Sequence, residues 1–359
     1  MMAGRQQQGV ALIAVLMVVS LVVVIAVAMS GRLQLQLQRQ LNLQERQQAL
    51  WLALGAEEFT RSLLKRTAVG KDSVNLSQEW AAQGATFPVE QGSISGTITD
   101  LQSCFNLNAL QKAQESQQSG SGDAKSDQDQ AQQPEGGEKK DETPAPVAKG
   151  EAPLTPAQLG FQRLLEQSAS ELSMPAEYLV ARLTDWLDAD TALQSAGGAE
   201  ENDYAALEFP YYTANSLMVS KSELRVLLDM TAADYALVAP LVCVIPQHFG
   251  LQLNVNTMTE QQAPVLSGLI QGLSEDDALA LIAGRPEKGF ESLEQFFASS
   301  QLSGLQLSDQ TKTLFSVTSS YFQAELTVQL ADSSFKLTSV LKVNDNQVQV
   351  VARRFGGQG

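Results

Sequence analysis

The residues in this chain that could do chemistry are mostly carboxylates gathered in one stretch around two glycines. In chain order this stretch contains Asp185, Asp188, Asp190, Gly197, Gly198, Glu200, Glu201 and Asp203. Calcium takes about six to eight oxygen ligands in flexible geometry, and such a loop can supply them, although the spacing is not that of an EF-hand. A solvated acidic surface is the alternative, so both interpretations stay open.

Enzymatic chemistry has little support in the sequence. The 359 residues include one histidine, His248, which excludes a three-histidine zinc site and a two-histidine iron site. The chain contains neither a Gly-x-Ser-x-Gly elbow nor a P-loop. We therefore expect a protein that is not an enzyme.

The net charge argues against nucleic acid as a partner. The chain has 24 Lys+Arg against 40 Asp+Glu, a net charge of -16, and binding to phosphate depends on Lys and Arg. Residues 253–300 are similar to the helix-hairpin-helix modules of DNA-uptake proteins, but Glu275, Asp276 and Asp277 follow Gly272 and would repel phosphate. We expect no nucleic acid. A membrane-anchored or periplasmic helix-hairpin-helix binding module is the alternative function.

Two cysteines, Cys104 and Cys243, are the only ones in the chain. In a protein exported to an oxidising compartment they form a disulfide, whereas buried free thiols are the alternative. A bond would remove denatured-state entropy worth about 4 to 5 kcal/mol in the chain-entropy model.

The N-terminal segment has the length of a membrane span. From Val10 to Met29 every residue is apolar except Ser20, and a helix needs about 20 apolar residues to cross the hydrocarbon core. Ala26-Val27-Ala28 also fits a signal-peptidase site. A soluble, exported binding protein that begins at Met29 is therefore an alternative to a membrane anchor.

The helical pattern continues beyond the apolar segment. Leu33, Leu37 and Leu41 recur every four residues among Gln and Arg, which predicts one unbroken helix over residues 10–66. A stripe of leucines on a projecting helix is stable when another surface buries it, so we expect these three residues to contact partner helices.

The rest of the chain predicts an α+β fold. Alternating apolar residues indicate strands within 87–101 and an antiparallel meander at the C-terminus. We assign residues 67–110 and 316–355 to one antiparallel-sheet body, and residues 154–315 to a large all-helical domain inserted between body strands. The helix N-cap signals of this domain are Thr155, Ser220, Thr257, Ser274 and Ser292. Residues 111–153 are rich in Gln and acidic residues and predict a disordered linker.

Several of these stretches resemble the protein K family of minor pseudopilins in type II secretion. Gly9 before Val10-Ala11-Leu12-Ile13 looks like the end of a prepilin leader, residues 1–9, with Ala14 where most prepilins carry glutamate. Further resemblance lies in these blocks: Gln48-Ala49-Leu50-Trp51, Leu54-Gly55-Ala56-Glu57-Glu58, Phe105-Asn106-Leu107-Asn108, Asp185-Trp186-Leu187-Asp188 and Leu253-Asn254-Val255-Asn256-Thr257.

The resemblance implies a place and a set of partners. Prepilin peptidase would cut between Gly9 and Val10 and the new N-terminus would be methylated. A single-pass anchor would hold the protein in the bacterial inner membrane with most of the chain in the periplasm. There it would join minor pseudopilins I and J at the pseudopilus tip, start assembly and support the export of folded proteins.

The resemblance also bears on the acidic stretch. The family is similar in binding calcium on its inserted domain, which favours a calcium site here. We predict Asp188, Asp190, Glu201 and Asp203 as donors, with further contributions from Glu208 and Asn215.

Overall fold

The computed structural model describes residues 8–111, 153–330 and 333–356. Residues 1–7 of the predicted leader and nearly all of the predicted linker lie outside the described residues. The α-helices are α1 (Gln8–Thr67), α2 (Pro156–Ser168), α3 (Ala176–Leu187), α4 (Glu201–Ala205), α5 (Ala232–Val238), α6 (Ala263–Leu269), α7 (Glu275–Ala283), α8 (Leu293–Phe297) and α9 (Asp309–Lys312). The strands are β1 (Ala85–Val89), β2 (Gly92–Asp100), β3 (Phe105–Asn106), β4 (Val242–Cys243), β5 (Leu253–Asn254), β6 (Phe315–Ser316), β7 (Tyr321–Leu330), β8 (Ser333–Val343) and β9 (Val348–Phe355).

Helix α1 runs without a break from the apolar N-terminal segment into the folded body. Its 60 residues agree with the helix predicted over residues 10–66, and the helix is long and apolar enough to cross a membrane. Near its C-terminal end Ala49, Ala53 and Leu64 are buried against the sheet. Lys65 and Arg66 occupy the last turn, where positive charge interacts favourably with the helix dipole.

The body is a five-stranded antiparallel sheet in the order β1-β2-β7-β8-β9, with α1 on one face. The C-terminal meander was predicted correctly, since β7 pairs with β8 and β8 with β9. Alternate residues of β7, among them Phe322, Leu326 and Val328, are buried beneath α1. The alternation of apolar and polar residues in the sequence therefore identifies the face of the sheet that α1 covers.

The inserted domain lies between β2 and β7, which are neighbours in the sheet. The predicted boundary at residue 110 was too late, because Phe105, Leu107 and Leu110 belong to the hydrophobic core of the inserted domain. The domain is also not purely helical: β3 pairs with β4, and β5 with β6, in two short parallel ladders. The body segment before the insertion therefore ends near Asp100.

A buried hydrogen-bond network around Asp100 joins the body to the inserted domain. Its carboxylate accepts hydrogen bonds from Gln102 N, Asn254 Nδ2, Thr257 Oγ1 and Ser319 Oγ. Burial raises the pKa of Asp100 to about 6, although these hydrogen bonds oppose the rise. The sequence predicts Thr257 as a helix N-cap, but its hydroxyl group is part of this network instead.

Candidate functional site

The predicted contact leucines lie on the part of α1 that projects beyond the body. Leu33, Leu37 and Leu41 have relative exposures of 58%, 56% and 58%. Because no described residue covers them, an apolar stripe of this kind favours contact with another helix.

The acidic stretch forms a loop between α3 and α4. Asp185 lies in the last turn of α3 and is fully buried. Its Oδ1 accepts a hydrogen bond from Gln194 N at 2.9 Å, and its Oδ2 accepts one from Ala199 N at 3.0 Å. A Cβ added to Gly198 would lie 2.0 Å from Asp185 Oδ2. The glycine therefore allows the loop to fold back onto this carboxylate.

Glu200 is the most unusual side chain of this loop. It is only 4% exposed, and its two buried carboxylate oxygens have no hydrogen-bond partner of normal geometry among the described residues, although the nearby backbone N–H of Glu201 lowers its pKa. Burial, reinforced by the charges of Asp185 and Asp188, raises the pKa of Glu200 to about 8. Burial also raises the pKa of Asp185 to about 7. A buried carboxyl group beside other acids is neutral when protonated, and its ionised form needs a bound cation.

The four predicted donors divide into two pairs. Asp188 is the C-cap residue of α3, and its charge and that of Asp190 act on Glu200. Glu201 is exposed, while Asp203 accepts a hydrogen bond from Glu200 N at 2.9 Å through Oδ2 and so stabilises the first turn of α4. The geometry thus favours Glu200 over Glu201 and Asp203.

Further features of the loop and of the chain after α4 bear on cation binding. Within the described part of the chain, no three His, Cys, Asp or Glu side chains are arranged to hold a metal ion on their own. The Oδ1 atom of Asn215 is buried without a described hydrogen-bond partner, and this residue has a φ of 42°. Glu208 is exposed. Sequence reasoning left Asp185 and Glu200 out of the donor set, because burial cannot be read from acidic residues so close together.

Cys104 and Cys243 are joined by a disulfide, with a Cα–Cα distance of 5.8 Å. Cys104 directly precedes β3 and Cys243 ends β4, which is the parallel partner of β3. Cys243 packs with Tyr321 and Val340 of the sheet. The bond therefore lies where the inserted domain meets the body.

His248 and the hairpin similar to DNA-binding modules have structural surroundings. The ring of His248 stacks on Tyr321 at a centroid distance of 4.6 Å, and burial, with a smaller effect of Lys342, lowers its pKa. Gly272 turns the chain between α6 and α7 with a φ of 89°. Glu275, Asp276 and Asp277 fill the first turn of α7, where they oppose any approach of phosphate.

Comparison with known families shows which protein family the chain belongs to. Two family models described as type II secretion system protein K match residues 103–247 and 253–318. The chain is also 36% identical to the type II secretion system protein K of Aeromonas hydrophila, covering 98% of each chain. It belongs to the protein K family.

Other relatives agree over the same length. The chain is 34% identical to the protein K of Pectobacterium carotovorum subsp. carotovorum, covering 98% of this chain and 97% of that protein. Among solved structures it is similar to the crystal structure of the GspK-GspI-GspJ complex from enterotoxigenic Escherichia coli. That match has a TM-score of 0.70 and 29% identity, and covers 89% of this chain and 100% of the other. The protein therefore has a minor-pseudopilin role in type II secretion, and its apolar N-terminal helix fits an inner-membrane anchor.

The two matched regions share one structural plan. Each opens at a short strand carrying an Asn-x-Asn sequence, β3 with Asn106 or β5 with Asn254, and closes shortly after the parallel partner of that strand. In each region a second asparagine side chain bonds to a distant backbone: Asn108 to Met218 and Asn256 to Phe290. The two regions thus share an opening Asn-x-Asn sequence and a closing parallel ladder, while their apolar residues pack into one core.

Proposed function

We propose that this protein K is the tip subunit of the type II secretion pseudopilus. It joins minor pseudopilins I and J, starts pseudopilus assembly and supports the export of folded proteins across the outer membrane. The observation that carries the proposal is the match, over 89% of the chain, to the protein K subunit of a solved complex with GspI and GspJ.

The position of Ala14 supports a place at the tip. After cleavage between Gly9 and Val10, Ala14 would be the fifth residue of the mature chain. A carboxylate inside a bilayer is costly and marks a charged partner, which in a pilus is the terminal amine of the subunit ahead. A tip subunit has no subunit ahead of it, so an apolar residue at this position costs it nothing.

The inserted domain supports the same place. Residues between β2 and β7 form a domain with its own hydrophobic core, attached to one end of the body sheet. A shaft subunit is surrounded by neighbours along the filament, whereas a tip subunit has open space above it. A bulky insertion is therefore compatible with the tip.

Mass spectrometry of the mature protein from native membranes tests the processing step. A chain that begins at methylated Val10 supports cleavage by prepilin peptidase, a single-pass anchor and a periplasmic body. A chain that begins at Met29 would instead indicate soluble export and contradict the proposal.

We further propose that the loop between α3 and α4 binds calcium. Glu200 supports this proposal, because its two buried oxygens lack a hydrogen-bond partner of normal geometry among the described residues and its pKa is raised by burial and neighbouring acids. Asp188, Asp190 and Asn215 would add donors, and backbone carbonyls and water would complete the six to eight ligands that calcium takes. Bound calcium would neutralise this loop and fix its conformation.

A further inference from the structure

A cleft lies on the face of the sheet that α1 does not cover, beneath an overhang of the inserted domain. Its volume is about 540 Å³. The floor of the cleft crosses β2, β7, β8 and β9, and its side chains alternate along the strands with those that face α1: Thr99, Gln323, Glu325, Thr338 and Arg354. The overhang consists of Val219, Lys221, Val244 and Pro246.

The floor has the dimensions of a short extended peptide. Glu325, Thr338 and Arg354 lie side by side on β7, β8 and β9, and Thr99 continues the floor onto β2. Three spacings of about 4.8 Å between neighbouring strands make this floor about 14 Å wide. An extended chain advances about 3.3 Å per residue, so about four residues cross it. The hydroxyl groups of Thr99 and Thr338 can donate and accept hydrogen bonds along the backbone of such a segment.

The cleft is held open by the contact between the two domains. Four of the lining residues belong to the apolar cluster that joins the sheet to the inserted domain: Leu101, Cys104, Cys243 and Val340. The disulfide joins two of them. Because the two walls are fixed to each other in this way, the cleft is preformed, and a ligand can bind with little loss of conformational entropy from the protein.

Two cations, one from each domain, meet at the cleft. Arg354 Nη1 on β9 lies 3.5 Å from Ser220 Oγ, and Lys221 is the next residue of the inserted domain. Lys221 Nζ makes only a long contact of 3.4 Å with Ala239 O. Both cations are exposed, and neither forms an ion pair with a described residue. In a chain with a net charge of -16, two cations at one cleft favour an acidic ligand.

The other charged groups near these cations have partners of their own. Glu325 is the one carboxylate among the described residues that line the cleft, and it accepts a hydrogen bond from Gln323 Nε2 at 2.7 Å. The guanidinium of Arg353 binds Glu57 on the α1 side of the sheet. Glu223 accepts hydrogen bonds from two backbone N–H groups of the adjoining chain. The two cations are therefore the charges available to a ligand.

We propose that this cleft binds an extended acidic segment of a partner protein, with about four residues in contact with the floor. Carboxylates of the segment pair with Lys221 and Arg354, where charge-assisted hydrogen bonds are strong. Its backbone crosses the threonines of the floor, and an apolar side chain packs on Val219, which is 67% exposed. The alternation of acidic and apolar residues suits an extended chain, whose successive side chains point to opposite sides.

Fluorescence polarisation of labelled hexapeptides tests the chemistry of the ligand with the full-length chain in detergent. One peptide alternates glutamate with valine, and two matched peptides carry glutamine or lysine in place of glutamate. We expect the glutamate peptide to bind at least tenfold more tightly than the other two and to be released as the salt concentration rises. Equal binding of the three peptides would overturn the proposal. Displacement of the glutamate peptide by inorganic phosphate at the same concentration would also overturn it, because the cleft would then be a site for small anions.

Reversing the two charges tests the place of binding. The double variant Lys221→Glu, Arg354→Glu changes two exposed side chains, so it should fold normally by circular dichroism and thermal unfolding. We expect it to bind the glutamate peptide at least tenfold more weakly than the unsubstituted chain does, and the lysine peptide at least tenfold more tightly.

The double variant Lys71→Glu, Lys288→Glu is the matched control. Both lysines are exposed, neither lines the cleft, and the net charge changes by the same amount. This variant should bind the peptides as the unsubstituted chain does. If the charge reversal at the cleft leaves binding of the glutamate peptide unchanged, or if the control loses that binding equally, the cleft is not the site.

A photo-crosslinking amino acid in place of Val219 shows what occupies the cleft. We expect an adduct with the glutamate peptide that an excess of unlabelled glutamate peptide prevents. An adduct between two copies of this chain in the presence of the peptide, or no adduct at a peptide concentration that saturates the polarisation signal, would contradict the proposal.

Discussion

Glu57 of α1 and Arg353 of β9 form a bidentate ion pair that fixes α1 to the edge of the body sheet. Arg353 Nη2 lies 2.7 Å from Glu57 Oε1, and Arg353 Nε lies 2.9 Å from Glu57 Oε2. Ser339 Oγ donates to Glu57 as well. Burial alone would raise the pKa of Glu57, but the hydrogen bonds from Arg353 and Ser339 lower it below its usual value. Glu57 is therefore ionised and its charge is matched.

Removing the arginine should loosen α1 from the body. Arg353→Ala leaves the carboxylate of Glu57, which is 3% exposed, without its counter-charge. Breaking a buried pair in this way costs about 3 to 5 kcal/mol, and less when one partner is partly exposed. We expect a loss of about 2 to 3 kcal/mol in the free energy of unfolding, measured by urea denaturation in detergent.

Arg354→Ala is the control for this measurement. Arg354 follows Arg353 in the chain, is exposed, and makes only a long contact of 3.5 Å with Ser220 Oγ. It should change the unfolding free energy by less than about 0.5 kcal/mol. Equal effects of the two substitutions would show that the ion pair does not fix the helix.

The disulfide should stabilise the inserted domain substantially. Cys104 and Cys243 are separated by 139 residues in sequence, and closing a loop of this length is worth about 4 to 5 kcal/mol in the chain-entropy model. We expect the double variant Cys104→Ala, Cys243→Ala to unfold at a lower temperature than the oxidised protein. A reducing agent should destabilise the unsubstituted protein and leave the variant unchanged. Identical melting temperatures would show that the bond contributes nothing.

A charge in the leucine stripe should weaken the complex without unfolding the protein. Leu37→Asp places a carboxylate on the exposed face of α1 that we assign to partner helices. We expect co-purification with pseudopilins I and J to fall at least tenfold while the circular dichroism spectrum stays the same.

Leu35→Asp is the matched control, because Leu35 is exposed to the same extent, 58% against 56% for Leu37, but points the other way. It lies 18 residues before Ala53, which is buried against the body, so it shares the direction of that residue. Should both variants lose their partners equally, the stripe would not be the contact surface.

The acidic loop should make stability depend on both pH and calcium. Burial raises the pKa of Glu200 to about 8, above the usual value of about 4.3. Without calcium, the stability that this group contributes is fully present below about pH 4 and is lost as pH rises through 8. We expect the melting temperature to fall between pH 5 and pH 8 without calcium, and to be restored at pH 8 by calcium.

Glu200→Gln should weaken calcium binding at least tenfold, measured by isothermal titration calorimetry. Glu201→Gln is the matched control, because Glu201 is the next residue and is exposed, and it should bind calcium as the unsubstituted protein does. If Glu201→Gln loses calcium binding and Glu200→Gln keeps it, the donor set predicted from the sequence is the correct one.

Patterns with one physical cause could be predicted from the sequence. The alternation in β7 and β8 reflects a sheet with one covered face, and the apolar run from Val10 forms a helix long and apolar enough to cross a bilayer. The N-caps at Thr155 and Ser274 were also correct. In each case the signal lies within a few neighbouring residues.

Features set by distant contacts could not be predicted. Thr257 has the sequence signal of an N-cap, but the buried Asp100 binds its hydroxyl across 157 residues. Phe105 lies next to the body in sequence yet stacks on Phe161 in the inserted domain. Likewise, Glu200 differs from Glu201 only through burial, which depends on how the loop folds over α3.

The position of this protein in the pseudopilus is tested most directly by immunogold electron microscopy of sheared pseudopili that contain an epitope-tagged chain. We expect label at one end of each pseudopilus and none along its length. Label distributed along the shaft would contradict a tip subunit.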